Sequence, residues 1–253
     1  MKSPLNPAET VKSYPAESIV TGVQTAPVNY AEKLLSRKFE IVWQNYHGGL
    51  VVDLCCGTGL HLLHYASKVE RGVGVDFVPE YISRAKSKAD SEAIGNLEFV
   101  VGDVRTIPVE AGAASLLYSL SALYILPNLE KNVEEISRVL APGGRCVLDL
   151  GNRVSLNTIC ARQYPAAAPL YSVTVGEMLT ACERAGLRVN ERYSFQILPL
   201  WADRPRWLAL LLAPFWERLM KKTISGRMLD EWISSLPLVR RFAFRHVLVC
   251  EKV

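Results

Sequence analysis

The residues of this chain best suited to chemistry lie in Leu50 to Leu63, Leu-Val-Val-Asp-Leu-Cys-Cys-Gly-Thr-Gly-Leu-His-Leu-Leu. A short apolar run with an acid near its end, Asp53, predicts a buried strand, and Gly57 and Gly59 lead straight into an amphipathic helix. Glycine has no β-carbon, so such a turn takes backbone angles that other residues avoid and lets a ligand lie against the main chain. Asp53 would then hydrogen-bond that ligand. Dinucleotide enzymes and plain tight turns share a Gly-x-Gly after a strand, so its surroundings decide what it binds.

Two further acids stand at expected strand ends. Asp76 closes the run Gly72 to Asp76, 23 residues after Asp53, and Asp103 follows the run Leu97 to Val101 after a further 27. A dinucleotide fold also places an acid after its second strand, on ribose hydroxyls, but it wants a third glycine where this chain has Leu62. Asp76 also suits the cap of a helix opening near Pro79, and Asp103 suits an ordinary turn.

The elements that must position these acids follow from periodicity. Apolar residues at helical spacing from Tyr30 to Tyr46 predict a helix over the body, closed by His47-Gly48-Gly49. A helix is expected over about 58–69, another from Pro79 to about Ala93, and a third that Pro142-Gly143-Gly144 stops. Ala114 to Leu120 and Arg145 to Leu150 read as the fourth and fifth strands. A helix over about 175–185, a sixth strand through Leu198 and a last strand over about 243–253 complete the pattern. Strands alternating with helices at this rhythm predict an α/β doubly wound, mostly parallel sheet with ligands at the carboxyl ends of its strands.

The chain divides into an N-terminal arm, 1–29, and a body, 30–253, carrying an insertion at about 199–237 that is too long for a simple connection. At 253 residues it can bury a sizeable core without disulfides, and its six cysteines lack metal-like spacing, as in a reduced, cytosolic protein. No metal centre is expected. Neither a secretory signal nor a membrane span is legible, which predicts a cytoplasmic protein. Between Arg204 and Arg245 nine Lys or Arg face three acids, against a net charge of +4 for the whole chain. This basic third is either a solvated face or an attraction to an anionic partner.

Four motifs in register, Val-Asp-Leu-Cys-Cys-Gly-Thr-Gly, Gly-Val-Asp-Phe, Val-Gly-Asp-Val and Arg-Val-Leu-Ala-Pro-Gly-Gly, resemble those of the class I S-adenosylmethionine-dependent methyltransferases. The resemblance covers about 30–198 and the last strand. It implies a Rossmann-like, seven-stranded sheet with an antiparallel last strand, and S-adenosyl-L-methionine as the methyl donor. It further implies that Asp53, Cys55, Gly57 and Gly59 line the methionine moiety and that Asp76 takes the ribose hydroxyls. Phe77 would cover one adenine face, Asp103 and Val104 would meet the adenine edge, and Ser119 would face the sulfonium. The family usually has glycine where Cys55 stands.

Methyl transfer is an in-line displacement in which positioning and exclusion of water do much of the work. A base is needed only where the acceptor must lose a proton, and Tyr124 and His61 are the candidates. Asp149 and Asn152 stand where metal-dependent catechol-type relatives place ligands, but the companion acid is missing from Ser119 to Tyr124. Ser-Leu-Ser-Ala-Leu-Tyr also replaces the Asn-Pro-Pro-Tyr type signature of nucleic-acid amino-methyltransferases, which argues against nucleic acid as substrate. The insertion gathers Trp201, Trp207 and Trp216 with leucines and flanking bases. It reads as a lid over a greasy or phosphate-bearing substrate, as a helix at a membrane surface, or as a buried helix on the sheet edge. The acceptor is expected to be a small molecule methylated on oxygen, such as a sugar, glycan intermediate or secondary metabolite. The alternatives are C- or N-methylation of a quinone, sterol or phospholipid headgroup at the membrane surface, and a non-catalytic cofactor-binding scaffold.

Overall fold

A computed structural model describes residues 27, 29–162, 171–200, 208, 210, 211 and 214–253. The expectations for the arm before residue 27, for Trp201 and for Trp207 therefore lie outside the described residues.

Helix α1 (Tyr30–Gln44) opens with a capping box in which Asn29 and Glu32 satisfy each other's backbone N–H groups, and it buries Leu34, Leu35, Phe39 and Val42. Strand β1 (Leu50–Leu54) is buried along its whole length, as a strand covered on both faces must be. There follow α2 (Leu60–His64), β2 (Arg71–Asp76), α3 (Pro79–Ser91), β3 (Leu97–Val101), β4 (Ala114–Ser119), α4 (Leu129–Val139) and β5 (Leu140–Gly151). The chain continues through α5 (Leu156–Arg162), α6 (Val175–Arg184) and β6 (Leu187–Phe195). After these come α7 (Pro214–Met220), the hairpin β7 (Thr223–Ile224) and β8 (Arg227–Met228), α8 (Leu229–Ser234) and β9 (Arg245–Lys252).

Seven strands form one sheet in the order β3-β2-β1-β4-β5-β9-β6. Pairing is parallel from β3 to β5, and β9 inserts antiparallel between β5 and β6. The expected doubly wound sheet with an antiparallel last strand is therefore present. Alternate residues of the strands feed two cores. Val51, Leu116, Val147 and Val247 pack with α1, α2 and α3 on one face, and Val52, Leu117, Leu148 and Leu248 pack with α4 and α6 on the other.

Two expected boundaries move. The helix over 58–69 shortens to α2 and a 3-10 turn, Ala66–Lys68. The Pro-Gly-Gly lies inside β5 instead of ending a helix, because α4 already ends at Val139. Pairing there jumps from Ala114↔Leu140 to Leu116↔Arg145, a bulge that takes up the extra residues, with Gly143 at φ 73°. The insertion holds a hairpin as well as helices.

Two buried carboxylates fasten that insertion to α1. Asp230 accepts from the Tyr30 hydroxyl at 2.8 Å, from the backbone N–H of Gln196 at 2.7 Å and from Ile197 at 3.2 Å. Glu231 accepts Nε and Nη2 of Arg37 at 2.8 and 3.2 Å. Removing an acceptor leaves several buried donors without partners, whereas removing one hydroxyl loses a single bond. Asp230→Ala is accordingly expected to lower the free energy of unfolding by about 2–4 kcal/mol and Tyr30→Phe by about 1 kcal/mol. The denaturant midpoints of the two variants check the ranking.

Candidate active site

The turn after β1 is fastened to β2 at three points. The N–H groups of Cys55 and Cys56 both donate to the Val75 carbonyl, at 2.8 and 3.0 Å, and Gly57 N–H donates to Asp76 Oδ2 at 2.8 Å. Cys55 takes φ 65°, the left-handed conformation that glycine adopts without cost. That explains why glycine is usual there. Its thiol is pushed above the ordinary range by burial and by the neighbouring Asp76 and Asp53 carboxylates.

Gly59, at φ 70°, has a reason that the sequence reading missed. A β-carbon there would come 2.4 Å from Phe99 Cε1, and one on Gly74 would come 2.5 Å from Phe99 Cδ1. The Phe99 ring therefore occupies space left by two glycines, so Gly59 serves the packing of α2 on the sheet.

Asp53 is buried, with Oδ2 lacking any hydrogen-bond partner, and the buried Ser119 hydroxyl likewise has none. Burial raises the Asp53 carboxyl to about 7; the Tyr118 hydroxyl opposes the shift and the Asp76 charge adds to it. Tyr118 Oη makes no hydrogen bond of ordinary geometry, so Asp53 is left as a buried acceptor. Asp76 Oδ1 accepts Val78 N–H at 3.0 Å. Burial raises the Asp76 carboxyl while the backbone N–H groups of Val78, Gly57 and Phe77 pull it down. Gly57 and Val78 make the two bonds of ordinary length, and a carboxylate has about four lone-pair sites, so acceptor capacity remains for a ligand's hydroxyl.

Asp103 is held by Arg105, whose guanidinium and backbone N–H both donate to it, and this pairing lowers its carboxyl. Val104 is buried beside Val75 and Ile107, while Phe77 is half-buried. His61 packs on Phe39 with ring centroids 4.3 Å apart and the planes tilted by 46°, and its buried Nε2 has no partner. Burial, with the His64 charge, lowers it to about 4, so it is neutral and weakly basic at pH 7. Tyr124 lies half-buried in the 3-10 turn Leu123–Ile125 after β4, edge-on to Phe244 and beneath the Arg245 guanidinium, 3.9 Å from its ring centroid.

Asp149 and Asn152 have structural partners. Asp149 Oδ2 accepts Lys38 Nζ at 2.7 Å and Arg245 Nη2 at 2.9 Å, and Asn152 Nδ2 points at the carbonyls of Val154, Arg241 and Ala243. Among the described residues no three His, Cys, Asp or Glu side chains converge as a metal site would require. Lys38 and Arg245, two cations beside the end of β4, carry no motif and were not found in the sequence.

The carboxyl ends of parallel strands thus present unused acceptors at Asp53 and Asp76, with a free hydroxyl at Ser119. A family model described as a methyltransferase domain matches residues 51–144. The demethylmenaquinone methyltransferase of Lactococcus lactis subsp. lactis is 35% identical over 100 residues, 38% of this chain and 40% of that protein. Sterol 4-C-methyltransferase strm-1 of Caenorhabditis elegans is 26% identical over 172 residues, 64% of this chain and 50% of the relative. The chain thus spans half or less of these two curated relatives. The solved geranyl diphosphate C-methyltransferase from Streptomyces coelicolor, in complex with Mg2+, geranyl diphosphate and S-adenosyl-L-homocysteine, shares the fold, with a TM-score of 0.64 at 15% identity over 99% of this chain and 100% of that one. Residues 51–144 thus match a methyltransferase domain, and the fold is that of a solved methyltransferase with bound S-adenosyl-L-homocysteine.

The Asp53 carboxyl is raised on folding, so the folded state holds its proton more tightly than the unfolded chain. Its contribution is then fully present below about 4 and lost as pH rises to about 7. At about 1.4 kcal/mol per pH unit, the change amounts to at most about 4 kcal/mol. The unfolding free energy of the native protein minus that of Asp53→Asn should therefore fall between about pH 4 and 7 and level off above. Denaturant titrations of both proteins across that range provide the check.

Proposed function

We propose that this chain transfers a methyl group from S-adenosyl-L-methionine to a small, lipid-like acceptor. The observation that carries the reading is the row of unused polar atoms along one sheet edge, Asp53 Oδ2, Ser119 Oγ and the spare lone pairs of Asp76. The donor supplies an electrophilic methyl on cationic sulfur. Asp53 would take the donor's ammonium, Asp76 its ribose hydroxyls, and Phe77, Asp103 and Val104 its adenine. Cys55 and Gly57 would form the backbone wall, with Gly59 behind them packed on Phe99, and Ser119 would stand beside the sulfonium. Oxygen, nitrogen and carbon acceptors all fit this arrangement. The quinone and sterol methyltransferases among the relatives favour a lipid-like acceptor over the sugar or glycan intermediate expected from the sequence.

Calorimetry with S-adenosylhomocysteine tests the donor site. Asp76→Ala should weaken binding by about tenfold to a hundredfold, the loss of a charge-assisted pair of hydrogen bonds to ribose. Unchanged affinity would refute the assignment.

A membrane-surface version has its own support. Leu210, Phe215, Leu236, Leu238 and Phe242 are exposed, and Leu238 shows 74% of its surface; Lys221, Lys222, Arg240 and Arg241 lie in the same stretch. Apolar side chains with bases beside them suit an anionic lipid surface. No helix among the described residues is long and apolar enough to cross a membrane. Sedimentation with phosphatidylglycerol-phosphatidylcholine vesicles should carry the protein down, and Leu238→Glu combined with Phe242→Glu should reduce the bound fraction several-fold. Equal recovery of native and variant protein would exclude this surface.

A further inference from the structure

Lys38, Asp149 and Arg245 come from three separate elements, α1, β5 and β9, and meet between α1 and the sheet, next to the turn that follows β4. They are 2%, 0% and 3% exposed. Their hydrogen bonding is lopsided. Asp149 Oδ2 receives Lys38 Nζ at 2.7 Å, Arg245 Nη2 at 2.9 Å and the Ser121 backbone N–H at 3.0 Å, whereas Asp149 Oδ1 receives nothing. Arg245 Nη1 is buried and has no acceptor. Two cations on one carboxylate leave one positive charge uncompensated.

Burying a charge without a counter-charge is costly, and a purely structural ion pair would be balanced and fully bonded. Burial together with the Arg245 charge pulls the Lys38 ammonium down to about 8 despite its contact with Asp149. The Asp149 carboxyl, although burial pushes it up, is held below its ordinary range by Arg245 and Lys38. The carboxylate is thus kept ionised by its two cations, and the excess is positive. The Arg245 guanidinium lies 3.9 Å from the Tyr124 ring centroid and 5.4 Å from that of Phe244, so aromatic faces hold its plane while its buried Nη1 is left without an acceptor.

We propose that the methyl acceptor carries an oxyanion, and that Arg245 and Lys38 bind it at the end of β4 and β5. The inference rests on the methyltransferase reading for the identity of the ligand, and on the cluster alone for its charge. It accounts for the weakness of the candidate bases. When an ionised acceptor oxygen attacks, its lone pair forms the bond to the methyl carbon. The carbon–sulfur pair leaves on sulfur, the sulfonium becomes a neutral thioether, and no proton needs to be removed by the protein. An acidic hydroxyl would be drawn to its ionised form by the local charge, whereas a carboxylate or phosphate would be anchored by it.

The test uses the full chain saturated with S-adenosylhomocysteine and four probes: 4-nitrophenol, benzoate, phenyl phosphate and the neutral 4-nitroanisole. Equilibrium dialysis should show the anions bound in preference to 4-nitroanisole, and the absorbance of bound 4-nitrophenol should report ionisation at lower pH than in buffer. The probe bound best separates an ionised hydroxyl from a carboxylate or a phosphate. Arg245→Met and Lys38→Met should each weaken anion binding by about tenfold or more, as loss of a desolvated charge contact does. Asp149→Asn, which raises the cluster's charge by one, should gain more thermal protection from the anions than the native protein. Native protein that binds 4-nitroanisole as well as the anions, or binds none of the probes, overturns the proposal even if the substituted chains fail to fold. Anion binding that persists in both methionine variants does the same. Loss of S-adenosylhomocysteine binding alone would count against the donor site and leave the anion measurements, repeated without it, to decide the charge of the acceptor.

Discussion

One carboxylate, Asp76, holds the turn after β1 against the end of β2. Its Oδ2 takes Gly57 N–H and its Oδ1 takes Val78 N–H, so the loop between the first strand and its helix is shaped before any ligand arrives. Burial raises its carboxyl, and the backbone donors oppose that shift without cancelling it. Everything on this edge of the sheet depends on that tie. The left-handed Cys55, the unused Asp53 oxygen and the Ser119 hydroxyl all take their places from a turn that cannot drift away from β2.

Packing reinforces the tie from below. Phe99 on β3 fills the space left by Gly59 and Gly74, joining the turn, β2 and β3 in one contact. The same glycine that looks like a ligand-facing residue is therefore a core residue by its environment. The distinction is physical: absence of a β-carbon admits either a ligand or a neighbouring ring, and only the neighbour's position says which.

Helix α1 plays a comparable part for the other half of the edge. One of its faces carries Tyr30 and Arg37 to the insertion through Asp230 and Glu231, and Lys38 reaches Asp149 between β4 and β9. Phe39 lies against His61. A single helix thus couples the insertion, the donor-side helix and the charged cluster. A shift of α1 would disturb all three, because each contact is buried and has few alternatives.

The sequence by itself determined the class of fold, the order of the strands' acids and the resemblance to the class I methyltransferases. These rest on local signals: apolar periodicity, glycine at turns, and four motifs in register within about 95 consecutive residues, 52–144. The shortened α2, the bulge that draws Pro142-Gly143-Gly144 into β5, and the hairpin in the insertion were not legible, since each depends on pairing with distant strands or helices. Tertiary structure alone decided that Asp103 is shared with Arg105, that His61 is a packed and weakly basic ring, and that Lys38, Asp149 and Arg245 meet. The last three are separated by 111 and 96 positions, and no spacing rule links side chains brought together only when a helix docks on an antiparallel strand.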